Sequence, residues 1–192
     1  MKKVVVFASG SGSNFQAIID AVNAGEIQAE IAGLISNKSE AGALQRATNN
    51  SIPTTVCSPE QFESTADYEK VLLQKVESWK PDLIVLAGYL RKIPDQIIAA
   101  YRGSIINIHP SLLPKYGGKG FYGMNVHRAV LENNETESGC TIHIVDEEFD
   151  QGPIIAQSKV AVHSDDTPEI LAKRVLHEEH KLLPATIKKF LN

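Results

Sequence analysis

The sequence predicts a doubly wound α/β domain: a mostly parallel, Rossmann-like sheet with an antiparallel strand at one edge. Three observations predict it. Residues 4–8 and 83–87 are continuous apolar runs, the pattern of strands covered on both faces. Apolar residues at helical spacing alternate with such runs along the chain. The connections between them are short, and no repeat, linker or low-complexity tract interrupts them, so residues 1–192 read as one domain.

The elements follow in order. After the strand at residues 4–8 comes a tight glycine-serine loop, residues 9–13. Asn14 then opens a helix in which Ala17, Ile18, Ala21 and Val22 recur at helical spacing. Backbone N–H groups at such a helix start point outward, and the dipole favours negative charge. The loop is not a dinucleotide fingerprint. Phe15 stands at the third glycine position, and the second strand, near residues 30–36, ends in Asn37-Lys38 instead of an acid for a ribose. It reads as a cradle for a phosphomonoester, and no NAD is expected.

Residues 42–50 form a second helix and residues 54–57 a short strand. Tyr68, Val71, Leu72, Val76 and Trp79 share one face of a third helix, which Pro81 ends. The strand at residues 83–87 runs into Gly88-Tyr89-Leu90-Arg91-Lys92-Ile93, where backbone groups at a strand end suit a flat heterocycle. Residues 94–101 are helical. Residues 115–123 carry several glycines and read as a mobile loop. Residues 126–131 are helical, and residues 141–145 form a strand with Thr141 and His143 on one face. An acidic turn, residues 146–150, follows. Residues 154–162 form the last strand, antiparallel at an edge. Thr167-Pro168 starts the final helix, which Pro184 kinks or restarts. His177 and His180 on that helix are three apart with no third ligand, so a polar face is expected and no metal.

The stretch with most chemical content is residues 104–114. Read as a strand, it puts Asn107 and His109 on one face, about 6.6 Å apart, and Ile106 and Ile108 on the other. Pro110 stops the strand directly after the histidine. Such a polar pair is either a hydrogen-bonded core cap or an amide and an imidazole at the mouth of a pocket. In doubly wound sheets ligands bind beyond the carboxyl ends of the strands. Residues 9–14, 88–93 and 107–109 all lie at such ends, which predicts one shared site.

Composition narrows the function classes. A net charge of −4 favours neither nucleic-acid nor anionic-membrane binding. Cys57 and Cys140 form no CxxC pair and read as reduced core thiols, so a zinc site or disulfide scaffold is not expected. No segment has the length of a membrane span or a signal-peptide core, and a cytoplasmic protein with small-molecule substrates is expected.

The string Asn107-Ile108-His109-Pro110-Ser111-Leu112-Leu113-Pro114, taken with Ser9-Gly10-Ser11-Gly12-Ser13-Asn14 and Asp150-Gln151-Gly152-Pro153, resembles the signature of the folate-dependent formyltransferases. The glycine-serine loop resembles the branch whose acceptor is glycinamide ribonucleotide. The resemblance implies 10-formyltetrahydrofolate as co-substrate and Asn107, His109 and Asp150 as catalytic residues. It implies acceptor contacts from Gly12, Ser13, Asn14, Pro110 and Glu179. The folate would be held by Leu90, Arg91, Lys92, Ile93, Asn107, Val145, Asp146 and Asp150. Where relatives often carry Arg or Lys at the folate end, this chain has Thr65. An Asp150 carboxylate beside His109 is expected to favour the imidazolium. The chain would act as a monomer or homodimer. Branches that formylate tRNA or hydrolyse formyl-folate need a further domain, for which this chain has no room. Outside the family, a non-catalytic phosphate-ligand domain would use the same three residues as polar packing.

Overall fold

The structure, a computed structural model, describes residues 1–192. Seven strands form one sheet in the order β3-β2-β1-β4-β5-β6-β7. They are β1 (Lys2–Phe7), β2 (Ala29–Ser36), β3 (Thr54–Val56), β4 (Leu83–Leu86), β5 (Ile105–His109), β6 (Glu137–Ile144) and β7 (Ile154–Ala161). The helices are α1 (Ser13–Asn23), α2 (Gly42–Asn49), α3 (Thr65–Trp79), α4 (Asp95–Ala100), α5 (Met124–Glu132) and α6 (Pro168–Leu191). The first five strands are parallel. β7 is an antiparallel edge strand as expected, but the strand that runs against the rest is β6, one place in from the edge.

The period of two along β1 divides the interior. Val4 and Val6 face a cluster with Phe15, Ile18 and Ile19 of α1 and Leu183 and Ile187 of α6. Val5 and Phe7 face a second cluster with Tyr68, Leu72 and Val76 of α3 and Ile97 and Ile98 of α4. Phe15 is fully buried, so the residue that spoils the dinucleotide pattern is a core anchor, contributing about 2–3 kcal/mol by burial. Trp79 packs against the second cluster and fits because Gly33 lacks a side chain: a Cβ there would lie 2.5 Å from the indole.

Two expectations need correction, and one is narrowed. Val71 is 42% exposed, and Leu73 packs against the core in its place. Of a kink or a restart at Pro184, the restart is excluded: α6 runs through the proline as one helix, with Leu183 and Ile187 packed in the core. β6 begins at Glu137, four residues before the expected start. Its small residues hide the strand pattern but allow close pairing: a Cβ on Gly139 would sit 2.0 Å from the Ser158 carbonyl oxygen. No helix is long and apolar enough to cross a membrane.

Register places the strand ends side by side. Phe7 pairs with Leu86, and Leu86 with Asn107. The chain leaving β1 is tied to the chain leaving β4, because the Ser9 amide donates to the Gly88 carbonyl at 3.1 Å. The Leu90 amide in turn donates to the Ser9 hydroxyl at 3.0 Å.

Candidate active site

A cleft of about 670 Å³ opens at these strand ends. It is lined by Ser13, Asn14, Leu90, Arg91, Lys92, Ile93, Asn107, His109, Pro110, Val145, Asp146, Asp150 and Glu179, which are the predicted site residues with one exception. Gly12 does not line it. It lies one step behind, where a Cβ would come within 2.7 Å of Ala43.

The polar cluster is held by β5, β6 and the loop between β6 and β7. Asn107 pairs with His143 across the β5–β6 ladder, and His109 with Thr141. His109 Nδ1 lies 3.6 Å from Asp150 Oδ2, and His143 Nε2 lies 3.4 Å from Asp150 Oδ1. The Gly118 amide donates to Asp150 Oδ2 at 2.9 Å. Asp150 reaches this position with φ of 55°, in the left-handed region. The chain then turns back so tightly that a Cβ on Gly152 would overlap the Ile144 carbonyl oxygen at 1.9 Å. That contact explains why an acid followed two residues later by glycine marks the site.

The ring protons follow from the partners. His109 Nε2 donates to the Tyr116 carbonyl at 2.7 Å, which leaves Nδ1 facing the carboxylate. His143 Nδ1 donates to the Ile144 carbonyl at 2.8 Å, so its Nε2 can accept from Asn107 Nδ2 at 3.1 Å. Asn107 Nδ2 also donates to Asp150 Oδ1 at 3.4 Å. Both amide protons are thus turned toward the protein.

Asp150 does favour the His109 imidazolium as expected, but it is not the largest influence. Burial lowers the pKa of His109 more than Asp150 and the Tyr116 carbonyl raise it, so the imidazole rests below its ordinary value and the neutral form is favoured. Burial pushes Asp150 the opposite way, yet the neighbouring His143 and His109 imidazoles and the Gly118 amide together hold its carboxyl below the usual range. The cluster combines a base kept neutral with a carboxylate kept ionised.

At one end of the cleft, α1 starts from Gly12 with φ of 73°. The amides of its first turn have no intrahelical acceptors. Asn14 Nδ2 donates to Glu179 Oε2 at 2.5 Å, while Asn14 Oδ1 is buried without a partner. Burial raises the Glu179 pKa and the Asn14 amide only partly offsets it. Arg46 Nε donates to the Ser11 carbonyl at 2.8 Å and steadies the loop. At the other end, Leu90 is 51% exposed over the opening. Arg91 pairs with Glu60, and Lys92 pairs with Asp95 at 2.9 Å. Thr65 is exposed at the start of α3 and is not part of the lining. His177 is exposed, and no group of three or more His, Cys, Asp or Glu side chains is placed to hold a metal ion.

Sequence reasoning assigned no role to His143, His127, Met124 or Tyr122, which also line the cleft. His143 carried a signal, since it alternates with apolar residues in a strand as Asn107 does. His127, between Val126 and Val130 on α5, carried none.

Residues 2–187 match the family model described as Formyl transferase. The chain is 46% identical over 182 residues to a chloroplastic phosphoribosylglycinamide formyltransferase of Arabidopsis thaliana, covering 94% of this chain and 62% of the relative. It is 39% identical to the phosphoribosylglycinamide formyltransferase of Escherichia coli K12, covering 97% of this chain and 86% of that one. The crystal structure of the phosphoribosylglycinamide formyltransferase from Bacillus halodurans superposes with a TM-score of 0.92 at 40% identity, covering 100% of this chain and 96% of that chain. The chain spans 62% and 58% of the lengths of the two plant relatives it matches.

Proposed function

The chain belongs to the formyl transferase family, and from that premise we propose that it transfers the formyl group of 10-formyltetrahydrofolate to the amine of glycinamide ribonucleotide in purine biosynthesis. The observation that carries this reading is a single cleft shared by three features: the Asn107, His109 and Asp150 cluster, the open first turn of α1, and the 88–93 and 146–150 loops. The relatives, named as phosphoribosylglycinamide formyltransferases, support the same reaction.

Formyl transfer passes through a tetrahedral adduct whose oxygen gathers negative charge. It needs a donor for that oxygen and a group to move the amine proton. His109, neutral through burial, is the base. As it takes up the proton, Asp150 at 3.6 Å stabilises the imidazolium. The proton then goes to the departing folate nitrogen. Asn107 serves the adduct oxygen once its Nδ2 is released from Asp150 and His143. Ser13 and Asn14 hold the phosphate, with Gly12 behind them setting the path of the loop, and Pro110 and Glu179 border the rest of the acceptor. Leu90, Arg91, Lys92, Ile93, Val145 and Asp146 hold the folate.

The test is to incubate the protein with both substrates and follow deformylated folate. Product formed in proportion to glycinamide ribonucleotide is expected. No product, or product formed equally without the acceptor, overturns the reading, and the second outcome would make the protein a hydrolase.

A further inference from the structure

His127 is the buried titratable group on the cleft wall that the mechanism does not use. It is 4% exposed, yet it lines the cleft. Its Nδ1 is sealed from solvent without a partner, whereas Nε2 is not among the sealed, unpartnered atoms, so of the two nitrogens it is the one available to a ligand in the cleft. Burial, with the His109 imidazole nearby, lowers its pKa to about 4, so the ring is neutral at working pH.

The neutral ring carries one proton. On Nδ1 it would be a buried N–H with no acceptor, which native proteins rarely tolerate, whereas a bare lone pair is borne more readily. The proton therefore belongs on Nε2, where it faces the cleft as a donor. The surroundings say which ligand it meets. Val126 and Val130, on the same helix, pack with Leu171 and Val175 of α6. One face of α6 presents Ala172, Leu176 and Glu179 to the cleft, and Glu179 is bonded to Asn14 of α1. His127 thus stands on α5, packed against the α6 helix whose Glu179 is bonded to the start of α1.

We propose that His127 is a specificity-determining residue that donates a hydrogen bond from Nε2 to an oxygen of the acceptor substrate. This rests on the functional reading above. The donor's loss leaves a buried ligand oxygen unpaired and weakens acceptor binding about tenfold.

The test is calorimetric titration with glycinamide ribonucleotide alone, alongside a folate titration and a thermal melt. His127→Leu keeps much of the volume and loses the donor. His127→Gln places an amide N–H near the position of Nε2. Expected is about tenfold weaker acceptor binding for Leu, near-native binding for Gln, and unchanged folate affinity for both. Equal binding by wild type and His127→Leu, or acceptor and folate affinity falling together in both variants, overturns the inference and leaves the functional reading intact. Wild-type protein that binds no glycinamide ribonucleotide sinks the functional reading, and the inference with it.

Discussion

Two glycine-rich loops meet at the cleft, and glycine serves each differently. At Gly12 and Gly42 the first loop and α2 are pressed together. A Cβ on Gly12 would lie 2.7 Å from Ala43, and one on Gly42 would lie 3.1 Å from the Ser11 carbonyl oxygen. In the second loop, a Cβ on Gly118, Gly120 or Gly123 would meet nothing within 4 Å, though all three have positive φ. Gly12 is needed for close approach as well as for its left-handed backbone, whereas Gly118, Gly120 and Gly123 are needed for backbone conformation in open space; in the second loop only Gly117 is pressed close, with a Cβ 2.5 Å from Leu113. The α1 end of the cleft is therefore built on packed, regular elements. The Asp150 and His109 pair instead depends on a thinly packed segment, through the Gly118 amide bonded to Asp150 and the Tyr116 carbonyl bonded to His109.

The largest expected effect tests that dependence. His109→Ala and Asp150→Asn should each lower kcat by about 10²–10³, with modest change in KM. Because the two groups act together, the double variant should lose little more than either single one. A kcat cycle checks this, and additive losses would uncouple the carboxylate from the imidazole. The pH profile sharpens it. With a neutral imidazole as base, activity falls as pH drops through the His109 pKa, already below its ordinary value. Removing the Asp150 charge removes a contribution that raises that pKa, so the midpoint in Asp150→Asn moves to lower pH. An unchanged midpoint, followed by NMR of the ring, would contradict the coupling.

Stability separates the loops next. Gly12→Ala combines a left-handed backbone with a clash on Ala43 and should cost about 2–4 kcal/mol, with weaker acceptor binding. Gly120→Ala meets only the backbone penalty, about 1 kcal/mol. Urea denaturation midpoints at constant slope measure both. Equal losses would mean that the two loops are packed alike.

The same contrast explains what the sequence made legible. The strand-loop-helix at residues 2–23 and the Asn107 and His109 face are local patterns, in which periodicity and a terminating proline suffice. Asp150 was legible through the glycine and proline after it and through the family resemblance. His143 reaches the cluster through antiparallel register with β5, a non-local fact. The Tyr116 carbonyl is backbone and has no residue signature. Val71 was misplaced because periodicity marks a stripe without saying which edge of it faces solvent.

The smallest expected effect concerns motion of the second loop. Lys119 and Tyr122 are exposed among glycines that touch little, and Phe121 is half-buried against Tyr116 at a ring separation of 5.8 Å. Ligands that fill the cleft bring apolar surface and hydrogen-bond partners to residues 118–123, all of which line it. Ordering those residues removes the opened states a protease needs, because cleavage of a flexible segment tracks the population of its open form. Trypsin at Lys119 should therefore cut the free protein several-fold faster than protein saturated with glycinamide ribonucleotide and a folate analogue. The α2 helix, tied to the first loop, supplies the control. Arg46, held by Ser11 and Gln16, should resist cleavage in both states. Equal cutting at Lys119 with and without ligands would show that the second loop does not close over them, and the comparison would then rest on packing alone.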